Sequence, residues 1–243
     1  MKVRKIAANA VAFSYENIED FVTNVFLVET PSKFFVIDTY CGSDAMKPVL
    51  ERINHSSKNK EIIVINSHFH WDHVWGNASF IGKDIISHEI CRKFLDEQWE
   101  KQMKHNRQYI LGRAEKQLPN ITFKEKIIFY DEGIELFYSP GHTIDSISLF
   151  DHNEKVLYAG DNLEKPIIYV ENNDIKTYIK SLKNYLNYKP KKIVAGHSLD
   201  LKEEDIFSAI EYLKGLSEGR KFTFKTDYER KIHYQNISMI NKK

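Results

Sequence analysis

The stretch EIIVINSHFHWDH, residues 61–73, runs from a short apolar, β-branched segment straight into three histidines and an aspartate. Residues 61–66 have the length and composition of a buried strand. If the chain stays extended beyond it, His68 and His70 point the same way and can grip one ion together. Asp72 and His73 come as the chain turns toward Val74-Trp75-Gly76-Asn77, where they can face a second ion. Three histidines and one aspartate at this spacing would arise by chance roughly once in a thousand such chains.

Three later segments repeat the pattern of strand, glycine and ligand. Pro140-Gly141-His142 follows IELFYS, Ala159-Gly160-Asp161 follows KVLY, and Ala195-Gly196-His197 follows KKIV. Each puts a ligand type just past a buried strand, after a glycine that lets the backbone turn tightly. Neutral imidazoles and carboxylates suit zinc, iron or manganese, and the lack of a cysteine ligand disfavours a purely structural zinc site. The reading is two divalent ions, zinc first, with iron or manganese as alternatives. Asp72 and Asp161 leave a surplus of positive charge on two such ions. A bridging hydroxide would lower that surplus and is the natural nucleophile. Asp72 is also the candidate catalytic residue. No G-x-S-x-G elbow or Cys–His pair competes for the role.

At these residues the chain resembles the metallo-β-lactamase superfamily. HFHWDH matches its H-x-H-x-D-H signature, and His142, Asp161 and His197 match the remaining ligand motifs in order. Asp38, in FFVIDTYCG, resembles the acidic residue near the end of the family's early hairpin. The resemblance spans about residues 20–216 and implies an α/β fold: an αββα four-layer sandwich of two mixed β-sheets with outer helices. Carried over by position, it implies a first ion on His68, His70 and His142, a second on Asp72, His73 and His197, and Asp161 between them. True β-lactamases carry a cysteine where this chain has Asp161, which points away from lactams. Flavodiiron proteins replace the second histidine by glutamate and append a flavin domain. Glutathione-thioester hydrolases add a C-terminal helical domain, whereas here residues after 197 read as one helix and a short tail.

Working outward, 22–29 and 34–39 read as a hairpin around Thr30-Pro31-Ser32, and 43–54 as a helix with Ser43 as N-cap. A strand follows at 83–87, then an amphipathic helical insertion near 88–117 whose apolar stripe includes Phe94, Trp99, Met103 and Tyr109. Part of that insertion is expected to overhang the metal edge as a lid. Strands are expected at 121–130, 134–138, 146–150, 155–159 and 192–195, helices at 173–186 and 202–216, and β-type alternation in the tail 220–243. The whole chain, 1–243, reads as one domain. Asp38 either caps a turn or supports a ligand histidine. Tyr40, Trp71, Trp75 and Asn162 flank motif positions and line the pocket or pack in the core. His55, His88, His105, His152 and His233 lie outside any motif.

With 35 basic against 34 acidic residues, the net charge of +1 does not advertise a nucleic-acid groove. No apolar run approaches the roughly 18 residues of a membrane span. The N-terminal apolar run is interrupted too early for a signal peptide. Cys41 and Cys91 read as reduced thiols of a cytoplasmic protein. Expected partners are therefore a small-molecule substrate, with no nucleic acid or membrane, and a homo-oligomer is left open. The leading function is hydrolysis of a small ester, thioester, lactone or phosphoester by a metal-bridging hydroxide. The alternatives are a mononuclear non-haem iron enzyme of the sulfur dioxygenase kind and a metal-stabilised binding protein without catalysis.

Overall fold

The computed structural model describes residues 1–18, 21–56 and 59–241, so the last two residues of the predicted tail lie outside it. Strands β1 (Lys2–Ala7), β2 (Ala10–Ile18), β3 (Phe21–Glu29), β4 (Lys33–Ile37), β5 (Glu61–Ile65), β6 (Asp84–His88) and β7 (Ile121–Phe123) form one sheet in that order. Neighbours are antiparallel from β1 to β4 and parallel from β4 to β7. The second sheet is built of β8 (Lys126–Phe129), β9 (Ile134–Tyr138), β10 (Ile147–Asp151), β11 (Val156–Tyr158) and β12 (Lys192–Val194), in the order β12-β11-β10-β9-β8. Only β11 and β12 pair in parallel within it.

Side chains alternate across each strand, and that alternation builds the layers. Phe26, Val28, Phe35, Ile37, Ile63 and Ile65 face Leu136, Ile147, Leu149, Val156 and Tyr158 across the space between the sheets. The opposite faces are covered by helices. Val25, Leu27, Val36 and Val64 pack on Met46 and Val49 of α1 (Ser43–Asn54). Phe137, Phe150, Leu157 and Ile193 pack on α4 (Ile175–Asn187) and α5 (Glu203–Ser217). The architecture is the αββα sandwich of two mixed sheets, held by three apolar layers. Among the described residues no helix is long and apolar enough to cross a membrane.

Several local expectations are corrected. Gly42, not Ser43, occupies the N-cap of α1, because the Ser43 hydroxyl accepts a bond from the Arg113 amide instead. The run 121–130 is two strands in different sheets; the chain passes between sheets at the polar pair Lys124-Glu125. In the insertion, α3 (Glu89–Asn106) ends in a 3-10 turn, Arg107–Tyr109, and residues after it are stitched to the start of α1 and the turn before it by Leu111 N–H to Cys41 C=O and Asp44 N–H to Leu111 C=O. Its Leu95 and Trp99 are buried against Val74 and Trp75 of the short helix α2 (Trp71–Val74) and the residue after it. Trp99 is thus core rather than lid, while Lys101, Gln102 and His105 of the same helix line a cleft beside His70 and Glu171, and Tyr109 stacks on Trp71. The tail is not β: α6 (Asp227–Ile240) starts at a capping box, with Thr226 Oγ1 accepting from Glu229 N–H and Glu229 Oε2 accepting from Thr226 N–H. Two helices, not one, thus follow residue 197. The N-terminal residues, for which no strand was expected, form β1 and β2.

Candidate metal centre

Four of the ligand-bearing turns follow β5, β9, β11 and β12, and Asp38 follows β4. The site thus lies at one edge of the sandwich, on turns fixed by strands buried on both sides. The structure brings all seven predicted side chains together in two sets, His68, His70, His142 and Asp161 in one and Asp72, His73 and His197 in the other. Within each set the ligand atoms lie within 4.8 Å of one another. Asp161 Oδ2 stands between them, 3.5 Å from His68 Nε2, 3.2 Å from His73 Nε2, 3.8 Å from His142 Nε2 and 2.9 Å from His197 Nε2. Asp72 Oδ2 is 3.3 Å from His73 Nε2 and accepts from Thr23 Oγ1.

The far nitrogen of every ring meets an acceptor. His142 Nδ1 donates to Tyr169 C=O and His197 Nδ1 to Val22 C=O, each at 2.8 Å. His73 Nδ1 donates to Asp38 Oδ2 at 2.8 Å, and His70 Nε2 to Glu171 Oε2 at 3.1 Å. The Ser67 hydroxyl donates to Asp38 Oδ2, so its oxygen accepts from His68 Nδ1. In the neutral rings these acceptors place the N–H outward and turn each lone pair inward. The inward nitrogens then face one another, 2.9 Å from His68 to His70 and 3.2 Å from His142 to His70. His73 Nε2 and Asp161 Oδ1 are buried without a hydrogen-bond partner. Lone pairs crowded on lone pairs and carboxylates require cations, so this donor set fits metal ions.

The proton affinities tell the same story. Burial pushes His68 well below its ordinary range, aided by His73, and burial likewise lowers His142. Burial opposes a charge on His73 too, yet Asp161, Asp72 and Asp38 outweigh it and raise that ring well above the usual value. His197 is raised to about 9 against its own burial, chiefly by Asp161. Burial would raise Asp161, but His197, His73 and His68 hold it well below the carboxylate range. Without metal, protons must do the cations' work, and metal binding displaces them.

The glycines have two different duties. Gly160, at φ +56°, makes the tight turn before Asp161. Gly141 and Gly196 provide room instead: a Cβ on Gly196 would lie 2.1 Å from Asp161 Oδ1, and one on Gly141 would lie 2.4 Å from Asn162 Oδ1. Of the flanking residues, only Trp71 lines the cavity. Trp75 and Tyr40 are core, and Asn162 holds the His142 turn by accepting from its N–H.

Sequence reasoning missed much of the pocket. Phe21, Glu164, Tyr169 and Glu171 line a cavity of about 240 Å³ over the ligands, and Tyr228, Lys231, Ile232 and Gln235 of α6 close its other side. Burial raises the Glu164 carboxyl to about 7, while Glu171, though burial opposes it, is held at about 2 by His70. The only advance signal for α6 was Thr226-x-x-Glu229; Glu164 and Glu171 carry none.

Residues 18–197 match the sequence pattern of the family described as the metallo-beta-lactamase superfamily. The chain belongs to that superfamily. Among superfamily relatives, a Drosophila melanogaster protein named Beta-lactamase-like protein 2 homolog is 26% identical over 197 residues, 74% of this chain and 60% of its own length. A Bacillus N-acyl homoserine lactonase is 25% identical over 178 residues, 68% of this chain and 66% of its own length. The chain therefore spans about 60% to 66% of the length of these curated relatives. The metallo-beta-lactamase from Pontibacter korlensis superposes with a TM-score of 0.69 at 20% identity over 88% of this chain and 98% of its own, and DIM-1 metallo-beta-lactamase with 0.71 at 17% over 88% and 96%. At that identity the likeness concerns the fold.

Proposed function

We propose that this chain is a metal-dependent hydrolase of small esters, thioesters, lactones or phosphoesters. His68, His70 and His142 would hold one divalent ion, Asp72, His73 and His197 a second, with Asp161 shared between them and zinc the first metal to test. The observation that carries the reading is the Asp161 oxygen lying within 3.8 Å of four inward-facing histidine nitrogens. Ions so bound supply Lewis acidity toward a carbonyl or phosphoryl oxygen and lower the pKa of water toward about 7. The chain's own residues do the rest. Asp72, whose burial is outweighed by His73 so that its carboxyl sits at about 2, stays ionised at neutral pH and would serve as a ligand and as the acceptor that orients a water at the site. Phe21, Trp71 and Ile232 give the cavity an apolar side for a small acyl or alkyl group. The cavity's 240 Å³ is below the roughly 300–1,000 Å³ of drug-sized ligand sites, which favours a small substrate. The lactonase relatives make lactones the first class to assay.

The test is metal analysis of zinc-loaded protein followed by a panel of lactone, ester, thioester and phosphodiester substrates. Two equivalents of metal and turnover of one class are expected. One equivalent or fewer at excess metal would remove the two-ion site and favour the iron reading. No turnover with both ions bound would leave a binding protein.

A further inference from the structure

The family pattern ends at His197, so the helix α6 lies wholly outside it. That helix nevertheless lines the cavity, and its most deeply buried side chain, Asn236, reaches the segment behind the centre. Asn236 is fully buried; its Oδ1 accepts from Val170 N–H at 2.9 Å, and its Nδ2 donates to Ile168 C=O at 2.8 Å and to Tyr212 OH at 3.1 Å. The amide thus straddles the 168–170 segment from behind and ties it to α5. The alternate residues of the same segment serve the site: Tyr169 C=O accepts from His142 Nδ1, Glu171 Oε2 accepts from His70 Nε2, and Glu171 N–H donates to His142 C=O. Asn236 is therefore one residue removed from both acceptors that orient His70 and His142, two of the three rings of one ligand set. The other set is held elsewhere, His73 by Asp38 and His197 by Val22.

Resting on the metal-centre reading above, we propose that Asn236 is a positioning residue for the first ion: through residues 168–171 it holds the two acceptors that aim His70 and His142. A buried asparagine that satisfies a carbonyl, an amide and a phenol has an ordinary structural use, so a loss of stability alone says nothing about this role. What separates the roles is selectivity between the two ion sites. A residue supporting only the fold weakens both sites alike, whereas the clamp acts on the set containing His70 and His142.

The experiment is calorimetric titration of zinc into the metal-free full chain, comparing wild type, Asn236→Ala and Leu213→Ala. Leu213 is a fully buried α5 side chain outside this hydrogen-bond chain and controls for lost stability. Asn236→Ala is expected to weaken one of two binding events about tenfold or more, as removal of outer-shell support of a histidine ligand does, and to leave the other within about twofold. Asn236→Asp, which keeps the acceptor for Val170 N–H but loses the donors, should fall between and serves where the alanine variant does not fold. In a Glu171→Ala background the effect of Asn236→Ala should shrink, since part of its route is gone. Equal weakening of both events, or a profile matching Leu213→Ala, would overturn the proposal. Wild type that binds no zinc would instead remove the metal reading itself.

Discussion

Replacing Gly196 by alanine puts a methyl group where the structure has no room for one. The added Cβ would lie 2.1 Å from Asp161 Oδ1 and 2.8 Å from His73 Cε1, and ordinary contacts begin near 3.4 Å. The carboxylate must therefore retreat by about 1.3 Å, against a tolerance in ligand distance of about 0.2 Å. The backbone itself does not object, because Gly196 is outside the positive-φ region. Overpacking of this kind costs about 1–3 kcal/mol of fold stability. Loss of a shared ligand should weaken zinc binding about 100-fold or more, which is about 2.8 kcal/mol. The stabilisation that zinc confers on the folded chain should shrink by a similar amount. Chelator competition gives the affinity, and urea unfolding with and without zinc gives the linked stability. Gly82→Ala is the control: its φ of +81° strains an alanine, but nothing lies within 4 Å, so it should lose stability and keep zinc. Gly196→Ala that bound two ions within twofold of wild type would refute the reasoning, since Asp161 would then be free to move without consequence.

Asp161→Asn keeps the shape of the shared ligand and discards its charge, so it should lose at least one ion and most turnover; retention of both ions with near-normal rate would make Asp161 a bystander. Trp99→Ala should cost about 3–5 kcal/mol in denaturant unfolding and leave substrate preference unchanged, because Trp99 is buried against Trp75 rather than over the site. Ile232→Ala should instead widen the pocket and shift kcat/KM toward substrates with a larger apolar group, at about the 2–5 kcal/mol that truncating a buried isoleucine costs; an unchanged preference order would remove α6 from substrate selection. In the metal-free chain, His197 is raised from 6.5 to about 9, so its contribution to stability is fully present below about 6.5 and is lost as pH rises through about 9. Urea midpoints of chelator-treated protein should fall across that window, and zinc-loaded protein should not follow, because the ion has replaced the proton.

Residues 61–73 carried the reading of the site because metal ligands obey local geometry. A strand followed by His-x-His fixes which side chains share a face before any tertiary contact forms. The layers of the sandwich were legible through the resemblance that the ligand motifs carry, and the short apolar runs of β4 and β5 agree with it, since a sheet of such strands must be covered on both faces. The errors fall where local pattern is ambiguous. Residues 121–130 look like one strand, yet the chain changes sheets midway. The tail alternates like a strand, yet the Thr226–Glu229 cap starts a helix.

By itself the sequence determined the candidate ligands: their types, their order along the chain, and the glycines placed before three of them, each a consequence of spacing within a few residues. Tertiary structure alone decided which residues turn that set into a site. Glu171 lies 101 residues from His70, and Asn236 lies 66 from Val170, and no local spacing announces either contact. A buried N–H takes whatever acceptor the packing of distant segments brings within about 3 Å, and that pairing exists only once the chain has folded.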